Sequence, residues 1–221
     1  MRKLEATFQS LGVNVRAAVE CAHMNDPVMH DQLSPENSKG SNRSILLYTV
    51  IAIGIALLVR FFVAAPYLVS GPSMEPTFHN FDYLVVDRIS YELGNPQRGD
   101  IVIFTMPQNP NETLIKRLIG LPGDTVSISG NTITITNSAH PHGFALSEPY
   151  LDPNDLGGPS RISVTLAPDQ YFVLGDNRVV SYDSRWWGVL PRSNIVGQVF
   201  LRLYPLDQIG IEPGQARYAT S

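Results

Sequence analysis

Two residues in this sequence are of the right type, and in the right kind of setting, for nucleophilic catalysis. Ser73 lies in Gly71-Pro72-Ser73-Met74-Glu75-Pro76-Thr77. A serine hydroxyl attacks a carbonyl only when a neighbouring base takes its proton. A serine among glycine and proline also suits an ordinary turn, so the segment alone decides nothing. Lys116 is less ordinary, because it sits inside the apolar run Leu114-Ile115-Lys116-Arg117-Leu118-Ile119. In a strand, Lys116 shares a face with Leu114 and Leu118, while Arg117 shares the other with Ile115 and Ile119. Either at least one of the cations faces the interior, or the strand lies at an edge with both solvated. A lysine buried without a partner sheds its proton, and the neutral amine can take one from a serine.

The histidines offer no better base. Of the five (His23, His30, His79, His140 and His142), His79 is near Ser73 in sequence, but nothing orients it. His140 and His142 flank Pro141 without a third ligand, so no metal is expected. The single cysteine, Cys21, excludes an intramolecular disulfide and a cysteine-based zinc site. No cofactor is called for. Serine paired with lysine is an established variant of the nucleophile–base arrangement.

These residues need a scaffold, and the pattern from Pro66 onward is that of short strands. Segments 83–87, 101–104, 113–119, 125–129, 132–136, 162–166 and 171–174 are β-branched and bounded by Gly, Pro, Asn or Asp. Ser129-Gly130-Asn131 suits a hairpin turn between two alternating runs. Residues 137–160 read as a long surface loop. The domain is therefore expected to be mainly β.

Ahead of it stands one long apolar run, Ile45 to Ala65, of about the length needed to cross a bilayer. Arg60 interrupts it near one end, where its side chain can snorkel to the interface. A buried core helix would carry a polar face, and a cleavable secretory signal would start nearer the N-terminus. Lys39 and Arg43 precede the run, and no Lys or Arg follows until Arg88 beyond Arg60. That bias places the N-terminus in the cytoplasm and the remainder outside. The expected organisation is a cytoplasmic tail (1–43), a transmembrane helix (44–66) and an extracytoplasmic catalytic β domain (67–221). Within the tail, Leu4, Phe8, Leu11, Val15 and Val19 recur at helical spacing, but Gly12 weakens a helix there and a loosely ordered tail is the alternative. Residues 26–42 read as linker. The 221 residues carry a net charge of −4 with only 16% charged residues. A soluble domain averages about 25%, so part of the chain is expected to meet a lipid bilayer. The acidity argues against nucleic acid as a partner.

Four segments together resemble the signal peptidase I family. Residues 70–78 (SGPSMEPTF) resemble its nucleophile segment, and 98–104 (RGDIVIF) the strand that follows. Residues 116–124 (KRLIGLPGD) resemble the segment of its lysine base, and 175–188 (GDNRVVSYDSRWWG) its longest motif. All four occur in the family's order. The resemblance implies a signal-peptidase-like antiparallel β catalytic domain with one N-terminal transmembrane helix. It implies an endopeptidase that removes signal peptides from secretory preproteins after small residues of the Ala-X-Ala type. Ser73 would be the nucleophile and Lys116 its base. Ser181 would orient the lysine, with Asp183 and Arg185 as a supporting ion pair. The oxyanion would lie at Gly71 and Ser73; some relatives carry a serine hydroxyl at the position of Gly71, and Ser70 is one residue out of place for that role. Val69, Met74, Phe78, Leu114 and Ile115 would line the substrate pockets. The single span resembles forms found in Gram-positive bacteria and cyanobacteria, in the plasma membrane or the thylakoid membrane. If Arg117 is only structural, Arg117→Lys should keep substantial activity.

Two other classes fit parts of the sequence. Soluble self-cleaving repressors also use serine with lysine, but they lack a membrane run and carry a DNA-binding domain. An anchored β module without activity would not need Ser73, Lys116 and Ser181 together.

Overall fold

The computed structural model describes residues 39–58, 64–154 and 161–218. The chain divides into two units, Met1–Tyr48 and Thr49–Ser221. The expected tail helix, the linker as far as residue 38 and Arg60 lie outside the described residues.

Helix α1 spans Lys39–Leu58. Its side chains from Asn42 to Leu57 are exposed all round, although most from Ile45 onward are apolar. No described helix is long and apolar enough to cross a membrane. The expected helix over 44–66 is corrected at both ends. Helix α1 begins at Lys39, and Ala64–Leu68 is instead a strand, β1, paired antiparallel with β2 (Tyr83–Asp87). Pro66 explains the change. It has no N–H to donate within a helix, whereas an edge strand tolerates it.

The remainder is two antiparallel sheets. After β2 and a short helix α2 (Ser90–Leu93), the chain forms β3 (Ile101–Met106) and β4 (Asn109–Gly120). Then come β5 (Thr125–Ser129), β6 (Thr132–Thr136), β7 (Phe144–Ala145), β8 (Arg161–Thr165) and β9 (Gln170–Leu174). Helix α3 (Ser184–Trp187), β10 (Leu190–Pro191), β11 (Ile195–Tyr204) and β12 (Gly210–Ile211) complete it. The larger sheet has the order β1-β2-β11-β3-β4-β9-β10, with β12 on β11; the smaller is β7-β6-β5-β8. The hairpin at Gly130-Asn131 forms as expected, with Ser129 opposite Thr132 and Gly130 at φ +58°.

Alternation along the strands explains the core. Val126, Ile128, Ile133 and Ile135 point inward and pack with Ile119, Leu166 and Phe172 between the sheets. A second cluster, Val69, Met74, Phe78, Leu84, Ile103 and Ile115, lies beneath the Ser73 turn. A third gathers Val102, Phe104, Leu118, Tyr171, Val173 and Leu190. Each such side chain contributes about 1.5–3 kcal/mol of burial, so strand β4 is fixed by apolar contacts on both of its faces.

Strand β11 was not evident from the sequence. It pairs with both β2 and β3, and its register shifts between Val199 and Leu201, between Arg202 and Tyr204 and between Ile195 and Gly197. Those irregularities break the period-two pattern by which a strand is recognised. The stretch 137–160 is also less loop-like than expected, since it holds β7 and a buried Leu146.

Candidate active site

Strand β4 presents Lys116 and Arg117 on opposite faces, and both are buried, 2% and 0% exposed. The solvated edge strand is thus set aside, and both cations lie inside. The two faces receive them differently. Lys116 Nζ meets Ser73 Oγ at 2.8 Å and donates to the Ile115 carbonyl, also at 2.8 Å. No carboxylate forms an ion pair with it among the described residues. Burial therefore lowers its pKa from 10.5 to about 8, against the opposing pull of Asp183, Asp176 and Glu112.

Arg117 is fully paired. Its Nε and Nη2 donate to the two oxygens of Asp176 at 2.8 and 2.6 Å, and its Nη1 donates to the carbonyls of Gly99 and Gly214. Tyr150 covers the guanidinium, with the ring centre 3.7 Å from Cζ. Asp176 also accepts from Thr77 Oγ1 at 2.5 Å, which ties the nucleophile turn to the end of β9. The roles of Asp176 and Thr77 were not legible in the sequence, because nothing in their spacing shows that residues 99 positions apart meet.

Ser181 and the Asp183–Arg185 pair come together behind Ser73. Arg185 Nε donates to Asp183 Oδ1 at 2.8 Å, and Asp183 Oδ2 accepts from the Gly175 N–H at 3.1 Å. Asp183 also caps α3 by accepting from Arg185 N. Gly175 must be a glycine, since a Cβ there would lie 2.2 Å from Ser181 Oγ and 2.4 Å from Ser73 O. The expected bond from Ser181 to Lys116 is not formed. Ser181 Oγ is buried and has no hydrogen-bond partner among the described residues, and the amine bonds to Ser73 and Ile115. The loop reaches the nucleophile through its backbone instead: Asn177 N donates to Ser73 O at 3.1 Å, and Ser181 N to Asn177 O at 3.1 Å.

A cleft of about 210 Å³ opens beside Ser73 and Lys116. Of the expected pocket residues, Val69, Leu114 and Ile115 line it, together with Tyr67, Leu84 and Ile103. Met74 and Phe78 do not. Both are 0% exposed and pack into the core cluster beneath the turn. Backbone alternation leaves one edge of the cleft ready for another strand. Leu118 exchanges hydrogen bonds with Asp100 and Gly99 on the β3 side, so Ile115 and Thr113 direct their N–H and C=O groups the other way. There β9 pairs only with Arg117–Gly120. Across the cleft, Val69 bonds to Phe81 and Asp82, which turns the backbone groups of Leu68 and Ser70 away from β2.

Gly71 has φ +90°, a conformation natural to glycine, and its N–H donates to Asn80 Oδ1 at 3.0 Å. The Ser73 N–H has no acceptor among the described residues.

An antiparallel β scaffold carrying a serine hydroxyl against a buried amine defines the class, a serine endopeptidase of the serine–lysine kind. The family model described as "Signal peptidase, peptidase S26" matches residues 42–204, and the chain belongs to that family. Among curated relatives, signal peptidase I of Leptolyngbya laminosa is 40% identical over 177 residues, covering 76% of this chain and 80% of that protein. A probable signal peptidase I-2 of Synechocystis is 39% identical over 73% of each chain. Signal peptidase IB of Staphylococcus aureus is 33% identical over 74% of this chain and 92% of its own.

Proposed function

We propose that this protein is a membrane-anchored signal peptidase that cuts N-terminal signal peptides from exported preproteins, with Ser73 as nucleophile and Lys116 as general base. The observation that carries the reading is the 2.8 Å contact between Ser73 Oγ and a buried Lys116 Nζ. A neutral amine has two N–H groups and one lone pair. One N–H satisfies the Ile115 carbonyl, and the lone pair takes the serine proton. Ser73 Oγ then attacks the scissile carbonyl, and the oxyanion meets the Ser73 N–H. Lys116, now an ammonium, gives its proton to the leaving amine. Water, deprotonated by the same lysine, releases the acyl group and restores the serine.

The preprotein would enter as an extended strand between Leu68–Ser70 and Thr113–Ile115, held by main-chain hydrogen bonds. Its small side chains would face Val69, Leu84, Leu114 and Ile115, and a shallow apolar wall admits alanine and excludes larger residues. In this reading Ser181, whose buried Oγ is left without a partner among the described residues, orients the Lys116 amine during the reaction. The anchor begins with α1 and ends before β1, with Lys39 and Arg43 on the cytoplasmic side and the β domain outside, in the plasma membrane or, in a cyanobacterium, the thylakoid membrane. Confinement with the substrate's own apolar segment raises its effective concentration.

The test is processing of a preprotein by the purified full chain. Wild type should release a product cut after Ala-X-Ala, and Ser73→Ala and Lys116→Arg should release none. Arginine does not deprotonate near neutral pH, so full processing by folded Lys116→Arg would overturn the mechanism.

A further inference from the structure

Glu148-Pro149-Tyr150 lies in the stretch that the sequence presents as a surface loop, yet it meets two buried arginines. The Glu148 carboxylate accepts from Arg178 Nη1 at 3.1 Å and Nη2 at 2.5 Å, and both side chains are under 10% exposed. Tyr150 stacks on Arg117 at 3.7 Å and donates its hydroxyl to Glu148 Oε1 at 2.7 Å. Tyr218, near the other end of the domain, lies 3.3 Å away, oxygen to oxygen. Burial pushes the Tyr150 hydroxyl well up, so it stays a donor throughout the working range.

The two arginines lead to the two reacting residues by separate routes. Arg117 is the immediate neighbour of Lys116 on β4. Arg178 donates from Nε to Gly175 O at 2.9 Å and belongs to the loop whose Asn177 N holds Ser73 O. The packing of Gly175 against Ser73 O and Ser181 leaves that loop no slack. A displacement of the loop moves the serine, and a displacement of Arg117 moves the lysine. An error of about 1 Å between such groups costs about 100-fold in rate.

We propose that Glu148 and Tyr150 are positioning residues for the cleavage reaction, forming one brace that fixes the Lys116 strand and the Ser73–Ser181 loop relative to each other through Arg117 and Arg178. An exposed ion pair in a loop would contribute almost nothing. This one is buried, so removing one partner leaves a charge uncompensated.

This inference rests on the proposed function, and the experiment separates the two. Full-length wild type, Ser73→Ala, Glu148→Gln, Tyr150→Leu, Tyr150→Phe and the double variant Glu148→Gln/Tyr150→Leu are assayed on one preprotein across pH 6–11, with thermal unfolding followed in parallel. Glu148→Gln and Tyr150→Leu should each lose about tenfold or more in kcat with KM within twofold, and the alkaline rise in activity should move to higher pH as Lys116 gains water. Tyr150→Phe keeps the ring on Arg117 and should recover most of the rate lost in Tyr150→Leu. The double variant should lose less than the product of the single losses, because one brace is removed twice. Folded Glu148→Gln and Tyr150→Leu with wild-type kcat would refute the brace, as would losses confined to KM. If Glu148→Gln does not fold, the comparison of Tyr150→Leu with Tyr150→Phe decides by the same criteria. A wild type no more active than Ser73→Ala would strike the functional reading instead.

Discussion

Carrying Lys116 inside the sheet should cost the enzyme stability, and Lys116→Met measures how much. Free lysine binds its proton up to pH 10.5, whereas buried Lys116 does so only up to about 8. Between those values the unfolded chain holds one more proton than the folded chain, so wild-type stability rises with pH across that window. Below pH 8 the full penalty applies, roughly 3 kcal/mol from the separation of the two values. Methionine fills a similar volume without charge, but it removes the contacts to Ser73 and the Ile115 carbonyl, worth about 1 kcal/mol each. The net expectation at pH 7 is a variant more stable by about 1 kcal/mol, or roughly 2–4 °C in melting temperature for a domain of this size. Above pH 10.5 only the lost hydrogen bonds remain, and the variant should be the less stable of the two. Thermal or urea unfolding of wild type and Lys116→Met at pH 7, 9 and 11, in the same detergent, reads this directly. A stability difference that does not change with pH, or a variant less stable at pH 7, would refute the account of a buried and readily neutralised lysine. The gain to catalysis is large. A pKa near 8 leaves about one-tenth of the amine neutral at pH 7, against roughly one part in three thousand for an ordinary lysine.

Three further outcomes follow from the geometry. Arg117→Lys should destabilise the fold by about 2–4 kcal/mol and depress activity, because lysine cannot span both Asp176 oxygens and two carbonyls; unfolding and kcat measurements check this, and it reverses the expectation drawn from sequence. Gly175→Ala should reduce turnover by 100-fold or more, since its methyl group collides with Ser73 O and Ser181 Oγ; a folded variant with near-normal turnover would contradict the packing. An export-dependent reporter fused after Ser221 should be active only outside the cytoplasm, and activity inside would reverse the proposed orientation.

The strands that sequence made legible are those with clean alternation and punctuated ends, such as Thr125–Ser129 and Thr132–Thr136. Strand β11 was hidden by its own irregularities, and β1 by the alanines that join it to the apolar run. At the site, Lys116 stood out as a cation amid apolar neighbours, whereas Ser73, in a Gly-Pro setting that suits many ordinary turns, was singled out by the family pattern. Ser181, Asp183 and Arg185 came from the family pattern. Met74 and Phe78 were misplaced because apolar residues beside a nucleophile look the same whether they line a cleft or support it. Glu148 and Tyr150 carry no local signal at all. Their importance comes from partners 30 and 33 positions away, and sequence spacing does not encode such meetings.

Strand β9 joins the edge of β4 only from Arg117 onward, one residue past Lys116. A peptide added along that edge can travel from Thr113 as far as Ile115 and no further, because Leu174 already occupies the next place. It must lift off the sheet there, beside the serine. If the preprotein enters along that edge as proposed, β9 would act as an end stop, in the way a fence fixes the length of a sawn board. The position of the cut would then be set by how far a chain can slide before it strikes the sheet, with the apolar wall admitting only small side chains on the way. Such a device would tolerate wide variation in the sequences presented to it while still cutting each at one bond.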